Sequence, residues 1–216
     1  MAEAELDSCQ CQGLERETKK WALEDLALYR KGKPSKTTPL LIQALVDAGV
    51  GGQTLLDIGG GIGVVQLQLL RQGVSSATSV EASSAYIEVA REEAARAGLD
   101  RRITFRHGNF VSLAKELPDA DIVTLDRVLC CYDDVEALVS LSAAKARRMY
   151  GLVYPRGVWW VKMALFFENL VYRVRGSAFR AFVHPTELID RLVRKSGLKE
   201  IQRQATFAWQ VVVYQR

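Results

Sequence analysis

A strand followed by a glycine-rich turn, at residues 54–65, constrains the fold of this chain more than any other feature. Leu55, Leu56 and Ile58 form a short apolar run, which is typical of a central strand in a parallel sheet. Glycines then crowd the next positions and let the backbone turn tightly and approach a ligand closely: Gly59, Gly60, Gly61 and Gly63. Apolar residues resume with helical spacing at Val64, so the free N–H groups of a helix start would face the turn.

Two acidic residues reduce the number of ligand classes that this glycine turn could bind. Asp57 sits at the end of the strand, in a position where a nicotinamide-binding fingerprint normally has its first glycine. Glu81 ends a second apolar strand about twenty residues later, where a carboxylate can accept hydrogen bonds from both hydroxyls of a ribose. The pair favours a nucleoside-binding site, and a nicotinamide-binding Rossmann unit stays open as an alternative.

The order Asp-x-Gly-x-Gly-x-Gly, followed by a strand that ends in Glu81, resembles the class I S-adenosylmethionine-dependent methyltransferases. The resemblance implies S-adenosylmethionine as the cofactor and a reaction that needs no metal. It also implies an α/β, Rossmann-like fold whose seven-stranded, mostly parallel sheet carries helices on both faces. In that family the glycine turn approaches the methionine portion of the cofactor. Glu81, with Ala82 beside it, then belongs to the ribose site.

Two later strand ends complete the implied cofactor site. In the family, a carboxylate or amide after the third strand contacts the adenine amino group and an apolar neighbour covers the ring, which assigns Asn109 and Phe110. A plain turn that uses asparagine for its backbone preference is the alternative interpretation. Asp126 and Arg127 follow the fourth strand, whose carboxyl end should open onto the same crevice as Asp57.

The later part of the chain continues the alternation of strands and helices, which predicts a parallel sheet with right-handed crossovers. A helix is predicted over residues 135–148 and a fifth strand over residues 152–155. The final strands, at 198–207 and 208–214, are joined so tightly that an antiparallel hairpin is expected. Such a C-terminal hairpin is typical of class I methyltransferases and atypical of nicotinamide dehydrogenases.

The acceptor site is expected between the fourth strand and a long apolar insert. The insert, at about 158–182, is interpreted as a lid over the acceptor, with an ordinary core helix or an amphipathic helix on a membrane surface as alternatives. Tyr132 and His184 are the candidates for a general base that acts on an acceptor hydroxyl. A histidine at a helix entry is more often a packing or hydrogen-bonding residue, and that interpretation stays open for His184. The turn after the fourth strand lacks the motif of the amino-methylating enzymes of DNA bases, so no nucleic-acid partner is expected.

Length and charge fit one domain with a small N-terminal addition. The 216 residues suffice for one α/β domain, predicted at 40–216, and residues 1–39 are predicted to form a helical, basic cap. The net charge of +4 allows an acidic acceptor or a weak contact with a membrane surface without demanding nucleic acid. The chain has no signal-peptide pattern and no charge-free run of membrane-spanning length, so a cytoplasmic location is expected.

The cysteines come in two close pairs, Cys9 with Cys11 and Cys130 with Cys131. Their spacing is not that of a usual metal site, so unpaired thiols are expected and a four-thiol metal site is the alternative.

The sequence therefore predicts an S-adenosylmethionine-dependent methyltransferase that acts on a small, largely apolar acceptor, which can carry acidic groups, with O-methylation favoured. The layout after the fifth strand loosely resembles the magnesium-protoporphyrin O-methyltransferases, which also carry an apolar, arginine-bearing insert. Two alternatives of other classes remain, a nicotinamide-dependent oxidoreductase and a non-catalytic, membrane-peripheral binding module with the same fold.

Overall fold

A computed structural model describes residues 9–33 and 35–216, and it describes side chains from Thr18 onward apart from residue 34. The expectation of unpaired thiols at Cys9 and Cys11 concerns side chains outside the described part of the chain.

Eight α-helices and seven strands follow one another in the described residues. In chain order they are α1 (Cys9–Arg30), α2 (Thr37–Asp47), β1 (Thr54–Ile58), α3 (Val64–Arg71), β2 (Ser76–Glu81), α4 (Ser84–Arg96), β3 (Ile103–His107), α5 (Phe110–Leu113), β4 (Ala120–Asp126), α6 (Val135–Lys145), β5 (Ala146–Pro155), α7 (Trp159–Val174), α8 (Thr186–Lys195), β6 (Lys199–Ala205) and β7 (Trp209–Gln215).

The strands form one sheet in the order β3-β2-β1-β4-β5-β7-β6. The five strands from β3 to β5 are parallel, and β7 runs antiparallel to both β5 and β6. This confirms the predicted seven-stranded sheet and its C-terminal hairpin. The strand order reverses between β1 and β4, and such a switch point leaves a crevice at the carboxyl ends of the strands.

Hydrophobic side chains cover both faces of the sheet, as the continuous apolar runs of its central strands predict. On one face Leu56, Val123 and Leu152 pack in a cluster with residues of α5, α6 and α8. On the other face Leu55 and Ile122 pack with residues of α2 and α3. Neighbouring residues of a strand point to opposite faces of the sheet. Because successive residues of these strands are buried, both faces must be covered, and helices cover them as predicted.

The fifth strand begins earlier than predicted. The sequence predicted a helix up to residue 148 and a strand from residue 152, but α6 ends at Lys145 and β5 already begins at Ala146. Met149 and Tyr150 pair with Ile122 and Val123 of β4 and are fully buried. Long-range pairing in the sheet therefore overrides the local helical pattern.

Among the helices of residues 9–33 and 35–216, none combines the length and the hydropathy that crossing a membrane requires.

Candidate functional site

A cavity of about 270 Å³ opens at the carboxyl ends of β1, β2 and β4, where the strand order reverses. Residues from each of the predicted strand ends line it: Asp57, Gly59, Gly60, Gly61, Glu81, Ala82, Asn109, Phe110, Asp126, Arg127 and Tyr132. The structure thus brings together residues that are up to 75 positions apart in the chain because parallel strands end at the same edge. Gly63, which was predicted with them, is not part of the described lining and is instead the N-cap residue of α3, with φ of 87°.

The glycine turn leaves no room for side chains at two of its positions. A Cβ on Gly59 would overlap a methyl group of Val128, and one on Gly60 would lie 2.9 Å from Asp57 Oδ2. A Cβ on Gly61 would make an ordinary contact with the ring of Tyr86 at 3.8 Å, but the φ of +53° at Gly61 disfavours any residue with a Cβ. The backbone can therefore hold this shape and face the cavity only with glycine.

Asp57 is a buried carboxylate with one free oxygen. Its Oδ1 accepts a hydrogen bond of 2.7 Å from the hydroxyl of Thr124, but Oδ2 has no partner among the described residues. Burial raises the pKa of Asp57 to about 7; the hydrogen bond from Thr124 opposes this shift, and the charges of Asp126 and Glu81 add to it. An unpartnered buried oxygen is costly, so this position favours a ligand that donates a hydrogen bond.

Glu81 ties the end of β2 to the glycine turn. Its Oε2 accepts from the N–H of Gly61 and its Oε1 from the N–H of Ser83, each at 3.0 Å. Burial raises the pKa of Glu81, and these backbone hydrogen bonds act in the opposite direction. Because a carboxylate has about four acceptor positions, Glu81 can hold the turn and still accept from a ligand.

Asp126 and Arg127 form the third strand end at the cavity. Asp126 Oδ2 accepts from the hydroxyl of Thr38, while Oδ1 has no hydrogen-bond partner in the described part of the chain and lies 3.6 Å from Arg127 Nε. Burial raises the pKa of Asp126, and the nearby Arg127 lowers it. Arg127 has φ of 64°, the one left-handed conformation of a non-glycine residue among the described residues. This unusual backbone turns the chain sharply after β4, at the edge of the cavity.

Asn109 combines a structural role with its place in the cavity wall. Its Oδ1 accepts from the N–H of Val111 at 3.0 Å and so caps α5, as the turn interpretation expected. Its Nδ2 lies 3.1 Å from the hydroxyl of Tyr132, to which it can donate. Phe110, next in the chain, is buried at the same wall. The amide is therefore held in place by its own helix and by Tyr132.

His184 does not reach the cavity, whose lining in the described chain does not include it. Its Nε2 lies 2.8 Å from the backbone carbonyl oxygen of Tyr132, and its ring stacks on Phe182 with centroids 5.7 Å apart. Burial lowers the pKa of His184. This geometry corresponds to the packing interpretation and places the imidazole outside the described cavity lining.

The helix α1 supplies a further wall of the cavity, and its lining residues were not among the predicted site residues. Five of its residues line the cavity, and their spacing places most of them on one helix face: Thr18, Trp21, Asp25, Leu28 and Tyr29. The helix is held on α4, where the Tyr86 hydroxyl donates to Asp25 Oδ2 at 2.7 Å and the Ser83 hydroxyl to Thr18 Oγ1 at 2.6 Å. The three- and four-residue spacing of positions 18, 21, 25 and 28 was the available signal.

The α7 helix lies outside the cavity wall, since the described lining contains none of its residues. The segment that follows it makes contact with α1 instead. Phe179 packs edge-on against Trp21, with ring centroids 5.5 Å apart, and against Tyr172 of α7 at 5.1 Å. In this structure α1, rather than the insert at 158–182, covers the crevice.

The cavity is strongly acidic. Its described lining carries four carboxylates and one cation: Asp25, Asp57, Glu81, Asp126 and Arg127. Such a wall attracts a cationic ligand and repels an anionic one. The two negative charges of a nicotinamide cofactor's pyrophosphate are therefore a poor match, while a sulfonium with an ammonium group is a good one.

Within the described residues, no three His, Cys, Asp or Glu side chains meet in an arrangement suited to a metal ion. Cys130 and Cys131 are free thiols with their sulfur atoms 3.6 Å apart, and Cys131 lines the cavity.

Comparison with known families agrees with the chemistry of the cavity. Residues 55–155, from β1 to the end of β5, match a family model described as a methyltransferase domain. Solved structures that resemble this fold include proteins with S-adenosylmethionine or S-adenosylhomocysteine bound. Residues 55–155 therefore match a methyltransferase domain, and the chain has the fold of solved class I S-adenosylmethionine-dependent methyltransferases.

Within this class, particular solved structures resemble the chain over most of its length. The magnesium protoporphyrin IX methyltransferase from Synechocystis PCC 6803, with S-adenosylhomocysteine bound, is 20% identical with a TM-score of 0.66, over 84% of this chain and 82% of that one. An O-methyltransferase family protein from Burkholderia thailandensis is 20% identical with a TM-score of 0.68, over 89% of this chain and 58% of that one. A search of curated proteins found no significant match.

Proposed function

We propose that the protein transfers a methyl group from S-adenosylmethionine to a small, largely apolar acceptor, with oxygen favoured as the acceptor atom. The observation that carries this proposal is the pairing of two walls in one cavity. One wall consists of buried carboxylates and a glycine turn at strand ends, and the other of apolar and aromatic side chains from α1. A cationic nucleoside and an apolar acceptor can each find a matching surface there.

The residues of the strand-end wall fit the cofactor. The free Oδ2 of Asp57 and the adjoining glycine turn would hold its amino-acid end, where the ammonium can donate to the carboxylate. Glu81 and Ala82 would border the ribose, and Asn109 and Phe110 the adenine. S-adenosylmethionine brings a methyl group that its positive sulfur already activates, so the protein mainly has to position the reactants and exclude water.

The acceptor would lie against the apolar part of the cavity. Trp21 and Leu28 of α1 line the cavity together with Val128 and Leu138, and these side chains suit a largely apolar molecule. Tyr132 stays the candidate for contact with an acceptor hydroxyl, because it lines the cavity and His184 does not. An acceptor carboxylate would need no base at all.

We also propose that residues 1–39 act as a cap on a methyltransferase domain at 40–216. The support is that α1 lines the cavity while its bonded partners, such as Tyr86 of α4 and Ser83 at the N-cap of α4, belong to the domain at 40–216. A cytoplasmic location stays a prediction from the sequence.

The first experiment measures cofactor binding by calorimetry with S-adenosylhomocysteine, S-adenosylmethionine and NAD. We expect binding of both sulfur nucleosides and none of NAD. Binding of NAD without either nucleoside would overturn the proposal in favour of an oxidoreductase. Binding of none of the three by folded protein would favour a non-catalytic module.

The second experiment identifies the acceptor. The protein is incubated with methyl-labelled S-adenosylmethionine and a panel of phenols, carboxylic acids, amines and thiols, with Asp57→Ala as the inactive control. We expect label in an apolar phenol or acid and a product whose mass and fragmentation show an O-methyl group. Label that appears only in amines or in added RNA would contradict the proposed acceptor class.

A further inference from the structure

The helix α7 presents a broad apolar surface to solvent. Val161 is the one buried residue of this helix, all of which the structure describes. Seven large apolar side chains are between 47% and 79% exposed: Trp159, Met163, Phe166, Phe167, Leu170, Val171 and Val174. Exposed apolar surface of this extent usually marks a contact with another molecule.

These side chains share one face of α7, and the fold fixes the direction of that face. At 3.6 residues per turn, Val161, Leu165 and Tyr172 lie together on the side opposite the exposed set. They are the more buried residues and face the body of the protein. The side chain of Asn169 holds this orientation, since its Nδ2 donates to the carbonyl oxygen of Ala181 and its Oδ1 accepts from the N–H of Ala181, both at 2.8 Å.

The apolar face continues onto the turn between β6 and β7. Phe207 in this turn is 78% exposed, and its ring stacks on Trp160 with centroids 5.8 Å apart. The guanidinium of Arg156 lies over the Trp160 ring at 5.9 Å. We call α7 together with Phe207 the outer apolar face.

Basic side chains border the outer apolar face. Lys162 and Arg173 are exposed along one edge of α7, and Arg175 follows directly after the helix. Glu168 is the single acidic residue of α7 and lies on the opposite edge of the wheel. The border is therefore mostly cationic, as in helices that lie in the plane of a membrane interface.

We propose that the outer apolar face binds an anionic lipid surface, with α7 lying parallel to it. Apolar and aromatic side chains would enter the boundary between headgroups and acyl chains, while Lys162, Arg173 and Arg175 would meet the anionic headgroups. The charges favour this occupant over a second copy of the chain, because an antiparallel two-fold contact between copies would bring Lys162 of each copy against Arg173 of the other. The proposal does not depend on the identity of the methyl acceptor.

The apolar part of the proposal is tested by co-sedimentation of the full chain with phosphatidylcholine vesicles, with and without phosphatidylglycerol. We expect binding to the anionic vesicles and much weaker binding to the neutral ones. The variant F166S/F167S should lose about tenfold or more in partitioning, as expected for two aromatic side chains removed from an apolar contact. The control L23S/I201S removes two equally exposed apolar residues elsewhere and should bind like the parent.

The charged part is tested with K162E/R173E. This variant should bind anionic vesicles about thirtyfold more weakly or worse, since each of the two lost cations contributes about 1 kcal/mol near an anionic surface. The control R101E/K115E changes two exposed cations near β3, at the far edge of the sheet, and should bind normally. Unchanged binding by F166S/F167S would overturn the proposal. So would the absence of vesicle binding in a protein that forms a concentration-dependent dimer through this face, measured by light scattering.

Discussion

The two walls of the cavity are built in different ways. The strand-end wall is held by the main chain: the N–H of Gly59 donates to Val80 O at 2.7 Å, and the N–H of Gly61 donates to Glu81. The α1 wall is held by side chains, such as the hydroxyl of Tyr86 on Asp25, and by ring contacts. The side chains of α1 include Ala22 and Leu26, which pack in a small buried cluster with Val89 of α4, and Arg30, which pairs with Glu93 at 2.6 Å. A wall fixed by the sheet is already shaped for its ligand, while a wall docked through side chains alone can move without disturbing the sheet.

This difference suggests that the strand-end wall binds the cofactor and that the α1 wall contacts the acceptor. The buried carboxylates and the glycine turn cannot rearrange without disturbing β1, β2 or β4, so they suit a ligand that every turnover uses. The helix α1 can adjust, so it suits entry, exit and the choice of acceptor. Substitutions on the two walls should therefore differ in kind, and the following experiments test that expectation.

The largest effect is expected from Asp57→Ala. Calorimetry should show the affinity for S-adenosylhomocysteine reduced about a hundredfold or more, because breaking a buried charge pair costs about 3–5 kcal/mol. The matched variant on the other wall, Asp25→Ala, should change this affinity only a few-fold. Equal losses in the two variants would remove the distinction between the walls.

Glu81→Ala should reduce the same affinity by about 1.5–3 kcal/mol, the range for hydrogen bonds to a charged group. Glu81→Gln separates two contributions, because the amide oxygen can still accept from the N–H of Gly61. We expect an intermediate loss for glutamine. An affinity near that of the parent in both variants would move the ribose site away from β2.

The pH dependence of binding follows from Asp57. Its pKa of about 7 in the free protein means that a cationic ligand, which needs the ionised form, must displace a proton at lower pH. Affinity should rise about tenfold between pH 6 and pH 8 and then level off. The same raised pKa makes the native state bind more protons than the unfolded chain between about pH 4 and 7, so the ligand-free protein loses stability as pH rises through that window. Calorimetry in two buffers of different ionisation enthalpy would detect the released proton, and a flat profile in Asp57→Asn is the control.

Gly61→Ala tests the turn against a control with the same backbone strain. Gly61 and Gly52 have φ of +53° and +74°, and neither has an atom close enough to clash with a new Cβ. Both substitutions should cost about 1–2 kcal/mol of stability, which thermal unfolding measures. Only Gly61→Ala should also weaken cofactor binding, because only Gly61 lines the cavity. Parallel behaviour of the two variants would argue against contact between the turn and the cofactor.

The smallest effect is expected from Tyr86→Phe on the α1 side. It removes the hydrogen bond to Asp25 and should cost about 0.5–1.5 kcal/mol of stability. Hydrogen exchange should become faster in the amides of α1, while affinity for S-adenosylhomocysteine changes less than about twofold. A large loss of affinity with unchanged exchange would show that Tyr86 belongs to the cofactor wall.

The same contrast explains what could be predicted from the sequence. Local sequence patterns predict the strand-end wall, since Asp57, the glycines and Glu81 lie at the ends of apolar strands. Parallel strands then bring these ends together. The α1 wall depends on contacts between residues more than 60 positions apart, such as Thr18 with Ser83, and no local pattern specifies these.

The insert at 158–182 and His184 are two further features whose positions could not be predicted from the sequence. Apolar composition at 158–182 predicted burial over the acceptor, but the helix turns its apolar side away from the body of the protein. His184 is near the insert in sequence, yet its ring is directed to the carbonyl oxygen of Tyr132. Composition and proximity along the chain do not determine where a side chain points.

The contact between Trp21 and Phe179 joins α1, which lines the cavity, to the segment after α7, the helix that carries the outer apolar face. Trp21 lies in the cavity wall, and Phe179 belongs to the segment that follows α7 and also packs on Tyr172. To expose the crevice, α1 has to break this pair of rings. Thermodynamic linkage is reciprocal. A partner that binds α7 therefore changes the free energy of opening the crevice, and a ligand in the crevice changes the affinity of α7 for that partner by the same amount.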